Sequence, residues 1–480
     1  MVFYKGDDFL EKIKDIVYLE DKPKYIQIAD KFKELIDSGN IKDGEKLPPI
    51  RELTKILNVN KITVVNAYKK LNNEGFAYQK IGSGTFAKKK ELHSNFMKIY
   101  SNTFKFLKNC NLDNYVDFSG ETTREVFFPI KDFKDIITTV LDRDGEEVLL
   151  SQNTLGYNPL RETINKEFWN NRLNVEDIII VSGAQQGIDI ASKAMMNIND
   201  NVIVEKPTYG GALSVFKWRR ANIFEVPIEK DGINMELFEE ILKKNKITLF
   251  YAMSYFQNPT GISYSLEKKK RLIELSKKYD FYIIEDDYLS ELVYEEDIEY
   301  TPFKSLDKDD RVIYIKSFSK IFIPGIRLGY MVVPEIFRER FLSTKLNTDI
   351  TTSTLMQRAL EYYIANKNWK ENIKKLSNEY KKRYDIMGKL IEEELSDYVY
   401  CNKPKGGLNY YLEIKNKKIS SRELFLKLKK KNVYITPGVL FFRNSREGDG
   451  FFRIGFSQTN CESIEEGIKA IKEELRLWHI

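Results

Sequence analysis

Five short polar motifs in the second half of the sequence follow apolar runs and carry groups that can bind a phosphate, an aromatic ring or an aldehyde. In chain order they are Ser182-Gly183-Ala184-Gln185-Gln186-Gly187, Pro207-Thr208-Tyr209-Gly210, Gln257-Asn258-Pro259-Thr260-Gly261, Asp286-Asp287-Tyr288 and Ser317-Phe318-Ser319-Lys320. The first is a small-residue turn that opens a helix, which favours anion binding. The others offer an aromatic ring, an amide, a carboxylate and a lysine amine. Each motif alone is also an ordinary turn or strand end, so only their order is informative.

That order matches what pyridoxal 5'-phosphate requires of a protein. This cofactor needs an anion site for its phosphate, a ring that stacks on it and a carboxylate beside its pyridine nitrogen. It also needs donors for its phenolate oxygen and a lysine that condenses with its aldehyde. The five motifs contain each of these groups, and we therefore predict a site for pyridoxal 5'-phosphate.

The apolar runs that precede these motifs predict the strands of an α/β domain. They are Ile178–Val181, Val202–Glu205, Leu249–Met253, Phe281–Glu285, Val312–Ile315 and Leu328–Val333, with helical stretches such as Ser265–Tyr279 between them. Alternating strands and helices predict a mostly parallel sheet with helices on both faces, and sites at the carboxyl ends of its strands. From about Leu408 onward the pattern is less regular, and we expect a small C-terminal subdomain there.

From about residue 114 to the C-terminus the sequence resembles the fold-type I aminotransferases, with the cofactor motifs in family order. The resemblance implies that Lys320 is the catalytic lysine that holds the cofactor covalently and that Asp286 pairs with the pyridine nitrogen. It implies further cofactor contacts from Asn258 and Tyr288 to the phenolate oxygen, from Tyr209 to the ring, and from Gly183, Ala184, Ser317, Ser319 and Arg327 to the phosphate. Arg453, within Phe452-Arg453-Ile454-Gly455-Phe456, matches the arginine that binds the α-carboxylate of an amino acid. Near Ser151 the family usually has a tyrosine that reaches the phosphate of a neighbouring subunit, and this sequence has none there.

A basic segment precedes this domain. Residues 21–90 contain fifteen Lys and Arg against eight Asp and Glu, a surplus of seven, while the whole chain of 480 residues carries a net charge of only +6. A positive charge concentrated in this way favours a polyanionic partner. The alternative is that it reflects a lysine-rich composition throughout the chain.

The same segment has the pattern of a winged helix-turn-helix domain, in which a third helix enters the major groove of DNA. The predicted elements are helices at Lys24–Ser38, Pro49–Leu57 and Lys61–Glu74 and strands at Phe76–Gln79 and Thr85–Lys88. The string LPPIRELTKILNVNKITVVNAYKKLNNEGFAYQKIGSGTF resembles the DNA-binding domain of the GntR family. The resemblance implies DNA contacts by Arg51, Asn60, Lys61, Thr63, Gly82 and Gly84. The family more often has Ser-Arg in place of Asn60-Lys61, so a phosphate contact is retained but a bidentate base contact by arginine is lost.

We therefore predict a GntR-type domain at residues 21–90, a linker with helical stretches at 91–113 and an aminotransferase-like domain at 114–480. This order of domains resembles the MocR subfamily of bacterial transcription regulators. The resemblance implies that the partners are double-stranded operator DNA, an amine or amino-acid effector and a second copy of the chain.

Two functions from different classes remain open. In the first, the chain is a transcription regulator that senses an amino acid, another amine or pyridoxal 5'-phosphate itself through its cofactor domain. In the second, it is an active aminotransferase that carries a DNA-binding module. A third interpretation is that the cofactor pocket is vestigial. The concentrated charge and the complete helix-turn-helix pattern favour the regulator.

Composition argues against several other classes of protein. Hydrophobic residues make up 42% and charged residues 31% of the chain, a globular balance. The longest apolar run, Leu328–Val333, is six residues, whereas a membrane span needs about twenty. Three separated cysteines and two histidines argue against a disulfide framework, a metal site and a Ser-His-Asp triad. The first fourteen residues have no apolar core, so we expect no signal peptide and a cytoplasmic protein.

Overall fold

Two units make up the chain, Met1–Cys110 and Asn111–Ile480. The computed structural model describes residues 13, 16, 18, 22–37, 40–42, 44–73, 76–80, 84–87, 92–107, 114–121, 130–150, 153–295, 300–320, 322 and 324–478. Residues 90, 91 and 113, which flank the predicted domain boundaries, and Ser151 lie outside these residues, so the boundaries stay predictions. No helix in the described ranges is long and apolar enough to cross a lipid bilayer.

The first unit contains the predicted three helices and hairpin, followed by a further helix. Its elements are α1 (Lys24–Asp37), α2 (Ile50–Leu57), α3 (Lys61–Asn73), β1 (Ala77–Lys80), β2 (Gly84–Ala87) and α4 (Leu92–Leu107). The predicted bounds of α1 to β2 differ from the observed ones by one residue at most. Helix α4 covers most of the predicted linker and lies within the first unit.

The apolar face of α1 forms the core of this unit. Ile28, Phe32 and Leu35 are all buried, as their helical spacing requires. Tyr68 of α3 packs edge-on against Phe32, with the ring centroids 5.8 Å apart. Its buried hydroxyl donates a hydrogen bond of 2.7 Å to the main-chain oxygen of Pro48. These contacts hold α3 against α1 and against the segment that leads into α2.

The second unit alternates strands and helices along most of its length. In chain order its elements are β3 (Val116–Asp117), α5 (Ile130–Asp144), α6 (Asn158–Trp169), β4 (Ile178–Val181), α7 (Ala184–Met195), β5 (Asn201–Lys206), α8 (Gly210–Trp218), β6 (Asn222–Glu229), β7 (Gly232–Ile233), α9 (Met235–Lys244), β8 (Leu249–Ala252), α10 (Leu266–Tyr279), β9 (Tyr282–Asp287), α11 (Phe303–Leu306), β10 (Val312–Ser317), β11 (Gly329–Val332), α12 (Arg338–Asp349), α13 (Thr354–Ala365), α14 (Asn368–Leu390), β12 (Val399–Cys401), β13 (Asn409–Ile414), α15 (Ser421–Lys429), β14 (Val433–Tyr434), β15 (Thr436–Pro437), β16 (Phe451–Gly455) and α16 (Cys461–Arg476).

An eight-stranded sheet lies at the centre of this unit, in the order β4-β11-β10-β9-β8-β5-β6-β7. Strands β10, β9, β8, β5 and β6 are parallel to one another, whereas β11 is antiparallel to both of its neighbours. All six strands predicted for this domain are present in it. Strands β6 and β7 were not predicted, because β6 buries only Ile223 and Val226 of its eight residues and forms no continuous apolar run.

The two faces of the sheet are covered by different helices. Helix α7 lies on one face, where a Cβ added to Gly187 would come within 2.9 Å of the Ile315 side chain. Asp286 is the cross-strand partner of Ile315 and therefore points to the same face. On the other face, Ile180 and Tyr314 belong to an apolar cluster with residues of α5, α6 and α13. The sheet thus has helices on both faces, as the alternating pattern predicted.

A second, antiparallel sheet in the order β12-β13-β16-β15 forms the C-terminal subdomain. It follows the long helix α14 and confirms the expected change of architecture, which begins at Val399 rather than at Leu408. Strand β3 comes from the start of the unit, yet it pairs with β14. The segment that follows β3 therefore lies beside the C-terminal subdomain.

Candidate functional site

The predicted cofactor residues follow strands that end at one edge of the large sheet. Gly329, the first residue of β11, pairs with Ser317 of β10 and with Val181 of β4. A Cβ on Gly329 would lie 2.5 Å from the main-chain oxygen of Lys316 and 3.3 Å from the Cα of Gly183. Only glycine permits so close an approach of these main chains. Gly329 therefore allows the turn at Gly183 to lie next to the segment that leads to Lys320.

Lys320 lies three residues beyond the end of β10, with its side chain 18% exposed. Its Nζ donates a hydrogen bond of 2.8 Å to the main-chain oxygen of Glu121, and Oε2 of the same residue is 3.4 Å away. Burial lowers the pKa of Lys320 to about 7, and the guanidinium of Arg327 acts in the same direction. A large fraction of Lys320 is therefore the neutral amine at pH 7, which is the form that attacks an aldehyde.

Asp286, at the end of β9, is 2% exposed and points to the α7 face. The hydroxyl of Tyr251 donates a hydrogen bond of 2.7 Å to its Oδ2. Its buried Oδ1 has no hydrogen-bond partner among the described residues. Burial raises the pKa of Asp286 to about 7, against the hydrogen bond from Tyr251. A buried carboxylate oxygen that lacks a donor is suited to the protonated nitrogen of a pyridine ring.

Asp287, the next residue, points to the opposite face and is fully occupied there. Its Oδ2 accepts hydrogen bonds of 2.6 Å from Tyr300 and from Tyr314, and the ammonium of Lys316 lies 3.3 Å away. Burial raises the pKa of Asp287, but Lys316 and these hydrogen bonds outweigh that effect and lower it. Of the two neighbouring carboxylates, only Asp286 has an oxygen left for a ligand.

Three of the residues predicted to hold the phosphate lie at the N-terminus of α7. Gly183 precedes the helix with a φ of 94°, and Ala184 is its first residue. The first N–H groups of a helix have no partner within it and favour an anion. Arg327 lies beside this turn, where its Nη2 donates a hydrogen bond of 3.3 Å to the main-chain oxygen of Ser182. A cationic side chain and a helix N-terminus therefore meet at one point.

The other two residues predicted to hold the phosphate, Ser317 and Ser319, are buried. The main-chain N–H of Ser319 donates a hydrogen bond of 3.3 Å to Oγ of Ser317. The hydroxyl of Ser319 is itself buried and has no hydrogen-bond partner in the described part of the chain. Since a buried hydroxyl without a partner is unfavourable, an anion bound here would stabilise it.

The three residues predicted to contact the cofactor ring each make a different contact within the chain. Tyr209 precedes α8 and its ring packs on Gly211, where a Cβ would come within 2.4 Å of it. The hydroxyl of Tyr288 donates a hydrogen bond of 3.1 Å to the main-chain oxygen of Phe256. The amide of Asn258 donates to a carboxylate of the chain itself, as described next. The ring contacts of all three stay predictions.

Arg453 reaches the site from β16, one of the two inner strands of the C-terminal subdomain. Its Nη1 donates a hydrogen bond of 2.8 Å to Oδ1 of Asn258 and a second one to Oε1 of Glu121. The amide Nδ2 of Asn258 donates to the same Oε1 at 2.9 Å. The structure therefore brings together three of the predicted residues, Lys320, Asn258 and Arg453, around the carboxylate of Glu121.

These groups fit pyridoxal 5'-phosphate. The unpartnered oxygen of Asp286 suits the ring nitrogen, and the unpartnered hydroxyl of Ser319 and the N-terminus of α7 each suit a phosphate. The lowered pKa of Lys320 suits covalent attachment to an aldehyde. In the described ranges no three His, Cys, Asp or Glu side chains are grouped so as to hold a metal ion.

A second candidate surface lies on the first unit, at the start of α3. Arg51, Asn60 and Lys61 are exposed, and Thr63 is half-buried. The side-chain oxygen of Asn60 accepts a hydrogen bond of 3.2 Å from the main-chain N–H of Ile62, which caps the helix. Of the four predicted side chains, Asn60 and Lys61 are therefore exposed at the end of α3 that a winged helix-turn-helix presents to DNA, and Arg51 is exposed on α2.

Of the two glycines predicted at the tip of the hairpin, only Gly84 can be placed. It begins β2 with a φ of 114°, a conformation that favours glycine. A Cβ at this position would lie 3.0 Å from Cε of Lys46. Gly82 lies outside the described residues, so its contact with DNA stays a prediction.

Sequence reasoning missed three residues at these sites. Tyr251 lies in an apolar strand and has the pattern of a core residue, and Glu121 belongs to no motif, so no local signal indicates either of them. Ile62 is 66% exposed on α3, opposite the buried Val64 and Tyr68. Its position could have been predicted from the helical spacing, because it falls off the apolar face.

Two family models match the chain. The model described as aminotransferase class I and II matches residues 127–471, and the model described as bacterial regulatory proteins, gntR family, matches residues 24–87. The first match covers more than half of the chain. Together they confirm the predicted fold, a winged helix-turn-helix domain followed by a fold-type I aminotransferase-like domain, and the prediction of pyridoxal 5'-phosphate as its cofactor.

Similar proteins fall into two classes. Aromatic-amino-acid aminotransferase 1 of Thermococcus litoralis is 31% identical over 381 residues, which cover 78% of this chain and 90% of that protein. The uncharacterized HTH-type transcriptional regulator YdfD of Bacillus subtilis is 28% identical over 477 residues, which cover 93% of this chain and 95% of the regulator. A solved structure of Pyrococcus horikoshii kynurenine aminotransferase, in complex with PMP, has a TM-score of 0.74 and 30% identity, and covers 79% of this chain and 94% of that one.

Proposed function

Because the chain belongs to the class I and II aminotransferase family and carries a GntR-type DNA-binding domain before it, we propose that it is a transcription regulator of the MocR type. In this proposal it binds operator DNA and responds to an amine or amino acid at its cofactor site. The observation that supports it best is the similarity to a transcriptional regulator over 93% of the chain, because that similarity includes both units.

The first unit supplies the DNA contacts in this proposal. Helix α3 would lie in the major groove with Lys61 at its entering end, and Arg51 of α2 would meet the backbone. The exposure of both side chains supports these roles. We further propose a homodimer formed through the aminotransferase-like domains, so that two winged domains engage one duplex.

The second unit supplies the effector site. Lys320 would hold pyridoxal 5'-phosphate covalently, Asp286 its ring nitrogen, and the N-terminus of α7 with Ser319 and Arg327 its phosphate. When bound, the cofactor supplies an electrophilic carbon that an amine can attack and a ring that withdraws electrons. The carboxylate of Asp286 would keep the ring nitrogen protonated. Lys320, whose pKa is lowered to about 7, can give up and take back a proton near neutrality.

A gel-shift titration tests this proposal. Full-length protein loaded with pyridoxal 5'-phosphate is titrated against the region upstream of its own gene, with and without a panel of amines and amino acids. We expect specific binding to that region and a change in affinity with at least one ligand. The ligand effect should disappear in Lys320→Ala, while DNA binding alone should remain. The absence of binding to that region and to every other genomic fragment would contradict the regulator.

An active aminotransferase is the second candidate function. The 31% identity with an aromatic-amino-acid aminotransferase favours it. So do the pKa of Lys320, lowered to about 7, and that of Asp286, raised to about 7. The test is an assay for keto-acid product with a panel of amino donors and a keto-acid acceptor, with Lys320→Ala as the control. Turnover that depends on Lys320, in a protein that binds no DNA, would replace the first candidate by the second.

A further inference from the structure

A carboxylate of the chain itself lies where the proposed effector site expects the carboxylate of a ligand. Oε1 of Glu121 accepts hydrogen bonds from Arg453, the residue proposed to bind a ligand carboxylate, and from Asn258 at 2.9 Å. Oε2 of Glu121 is 3.4 Å from Nζ of Lys320. One side chain thus contacts the three residues that a carboxylate-bearing amine would need.

The surroundings of Arg453 leave it oriented toward this carboxylate. Its side chain is 6% exposed, and Nη2 donates hydrogen bonds of 3.2 Å to the main-chain oxygen of Ser119 and to Oγ1 of Thr436. Nη1 is shared between Asn258 and Glu121. A buried guanidinium that loses its carboxylate partner is strongly destabilising unless another anion takes the place of that carboxylate. A ligand carboxylate can therefore reach Arg453 only by displacing Glu121.

The backbone that carries Glu121 is held in place. Oδ1 of Asp117 accepts hydrogen bonds from the main-chain N–H groups of Ser119, at 2.8 Å, and Gly120, at 3.2 Å. The main-chain oxygen of Phe118 accepts a hydrogen bond of 2.7 Å from Gly455, next but one to Arg453 in β16. A Cβ on Gly120 would lie 2.5 Å from the side chain of Gln458, so the chain passes close to the subdomain. The segment Val116–Gly120 therefore delivers Glu121 to Arg453 from a fixed turn.

We propose that Glu121 determines which ligands the effector site accepts, as an internal competitor for Arg453. An amine without a carboxylate can bind while Glu121 stays on Arg453, and its ammonium meets the same acceptors that Lys320 now uses. An α-amino acid must first displace Glu121, so its affinity is lowered relative to that of the matching amine. The site is thereby biased toward amines that carry no α-carboxylate. This proposal rests on the proposed effector site.

Three small probes separate the contributions. Ethylamine carries only the amine, propionate only the carboxylate, and alanine both. Propionate is the cleanest probe of Arg453, because without an amine it cannot react with the aldehyde of the cofactor. Binding of each probe is measured by titration calorimetry on the full chain loaded with pyridoxal 5'-phosphate, so the readout does not depend on catalytic turnover.

The variant Glu121→Gln removes the competing charge and keeps the size of the side chain. We expect propionate and alanine to bind at least about tenfold more tightly to it than to the wild type, which corresponds to one charge-assisted hydrogen bond. Ethylamine should bind no more tightly than to the wild type. The matched control is Glu240→Gln, the same change on an exposed residue of α9 that pairs only with Lys244 among the described ion pairs. It should leave all three affinities unchanged.

The outcomes distinguish the two proposals. If the protein binds the cofactor and the probes, but Glu121→Gln changes alanine and ethylamine by the same factor or changes neither, Glu121 is not a competitor and the effector site stands. If neither protein binds the cofactor or any probe, the effector site itself is refuted, and this inference with it. If Glu121→Gln does not fold, Glu121→Asp replaces it. The shorter side chain withdraws the carboxylate from Arg453, so it too should bind propionate more tightly, and unchanged binding would refute the competition.

Discussion

Lys316 and Lys320 lie four residues apart, yet their environments shift their pKa values in opposite directions. Burial alone would lower the pKa of Lys316, but the carboxylates of Asp287 and Glu291, 3.3 Å and 2.7 Å away, raise it. The Nζ of Lys320 is 3.4 Å from Oε2 of Glu121, yet burial lowers its pKa to about 7, and the guanidinium of Arg327 acts in the same direction. The first lysine is therefore a permanent ion-pair partner, whereas the second can be a nucleophile near neutral pH.

This difference predicts how the cofactor attaches at different pH values. Only the neutral amine attacks an aldehyde, so the rate of attachment to Lys320 should rise as the pH passes through about 7 and level off above about pH 8. The measurement is the growth of visible absorption after pyridoxal 5'-phosphate is added to cofactor-free protein between pH 6 and pH 9.5.

The control for this experiment is Lys320→Ala, in which borohydride should fix no cofactor to the chain. An ordinary exposed lysine, with a pKa near 10.5, would give a rate that keeps rising up to the highest pH tested. That result in the wild-type protein would show that the Lys320 amine is not perturbed.

At the scale of single elements, Glu205 of β5 connects that strand to the loop that carries Asn258. Its carboxylate accepts hydrogen bonds from the main-chain N–H of Met253, at 3.1 Å, from Tyr264, at 2.8 Å, and from Gln257, at 2.9 Å. The residue is fully buried, and burial raises its pKa to about 8. The carboxyl group of Glu205 thus holds this loop in position through hydrogen bonds. It also binds its proton more tightly in the folded protein than in the unfolded chain.

The raised pKa makes stability depend on pH in a defined direction. An acid whose folded pKa is raised contributes stability that is fully present below its unfolded value, 4.5, and is lost as the pH rises through about 8. Relative to Glu205→Gln, which does not titrate, the wild type should lose up to about 4 kcal/mol of unfolding free energy between pH 5 and pH 9. Denaturant unfolding of both proteins at several pH values measures this. A difference that is the same at every pH would contradict it.

Helix α3 is the element on which the proposed DNA binding depends. If Lys61 neutralises one phosphate, Lys61→Ala should reduce the slope of log affinity against log salt by about one and weaken specific and non-specific binding equally. If Lys61 instead reads a base, discrimination at one position should fall by about 1–3 kcal/mol and the slope should hardly change. We expect the phosphate result, because lysine is a point charge without the fork of arginine.

Gel shifts at several salt concentrations distinguish these two results. The matched control is Lys31→Ala, which removes the same charge from α1, where Lys31 pairs with Glu34 at 3.0 Å. It should leave the salt slope unchanged. The visible absorption of the bound cofactor should be the same in all three proteins, since the substitutions lie in the first unit.

At the scale of the whole molecule, a regulator must couple its two units energetically. If an effector changes operator affinity by some factor, operator DNA must change effector affinity by the same factor, because the coupling free energy is reciprocal. We therefore expect equal factors from gel shifts with and without effector and from effector titrations with and without operator. Glu121→Gln tests this further. Because this variant alters the affinity for the effector, it should change the effector concentration at which operator affinity responds, while operator affinity without effector stays the same. If the two factors differ, the effect of the ligand on DNA binding does not arise from coupled binding of effector and operator to this protein.

The sequence by itself determined whatever depends on neighbours along the chain. The periodicity of α1, the turn before α3 and the apolar run of each large strand are local, so these elements could be predicted to within a few residues. The order of the motifs also predicted the cofactor, and the pattern of residues 21–90 predicted the DNA-binding domain before it. A pattern such as that of β6, in which only Ile223 and Val226 are buried, carries no such signal and was missed.

Only the tertiary structure decided which distant residues meet. Glu121 precedes Lys320 by 199 residues and Arg453 by 332, and it reaches them because β3 pairs with β14 rather than with a neighbour in sequence. Likewise, the sheet register decides that Asp286 faces α7 and Asp287 faces Lys316. Strand pairing and register arise from packing between elements that are far apart in the chain, and no pattern of nearby residues encodes them.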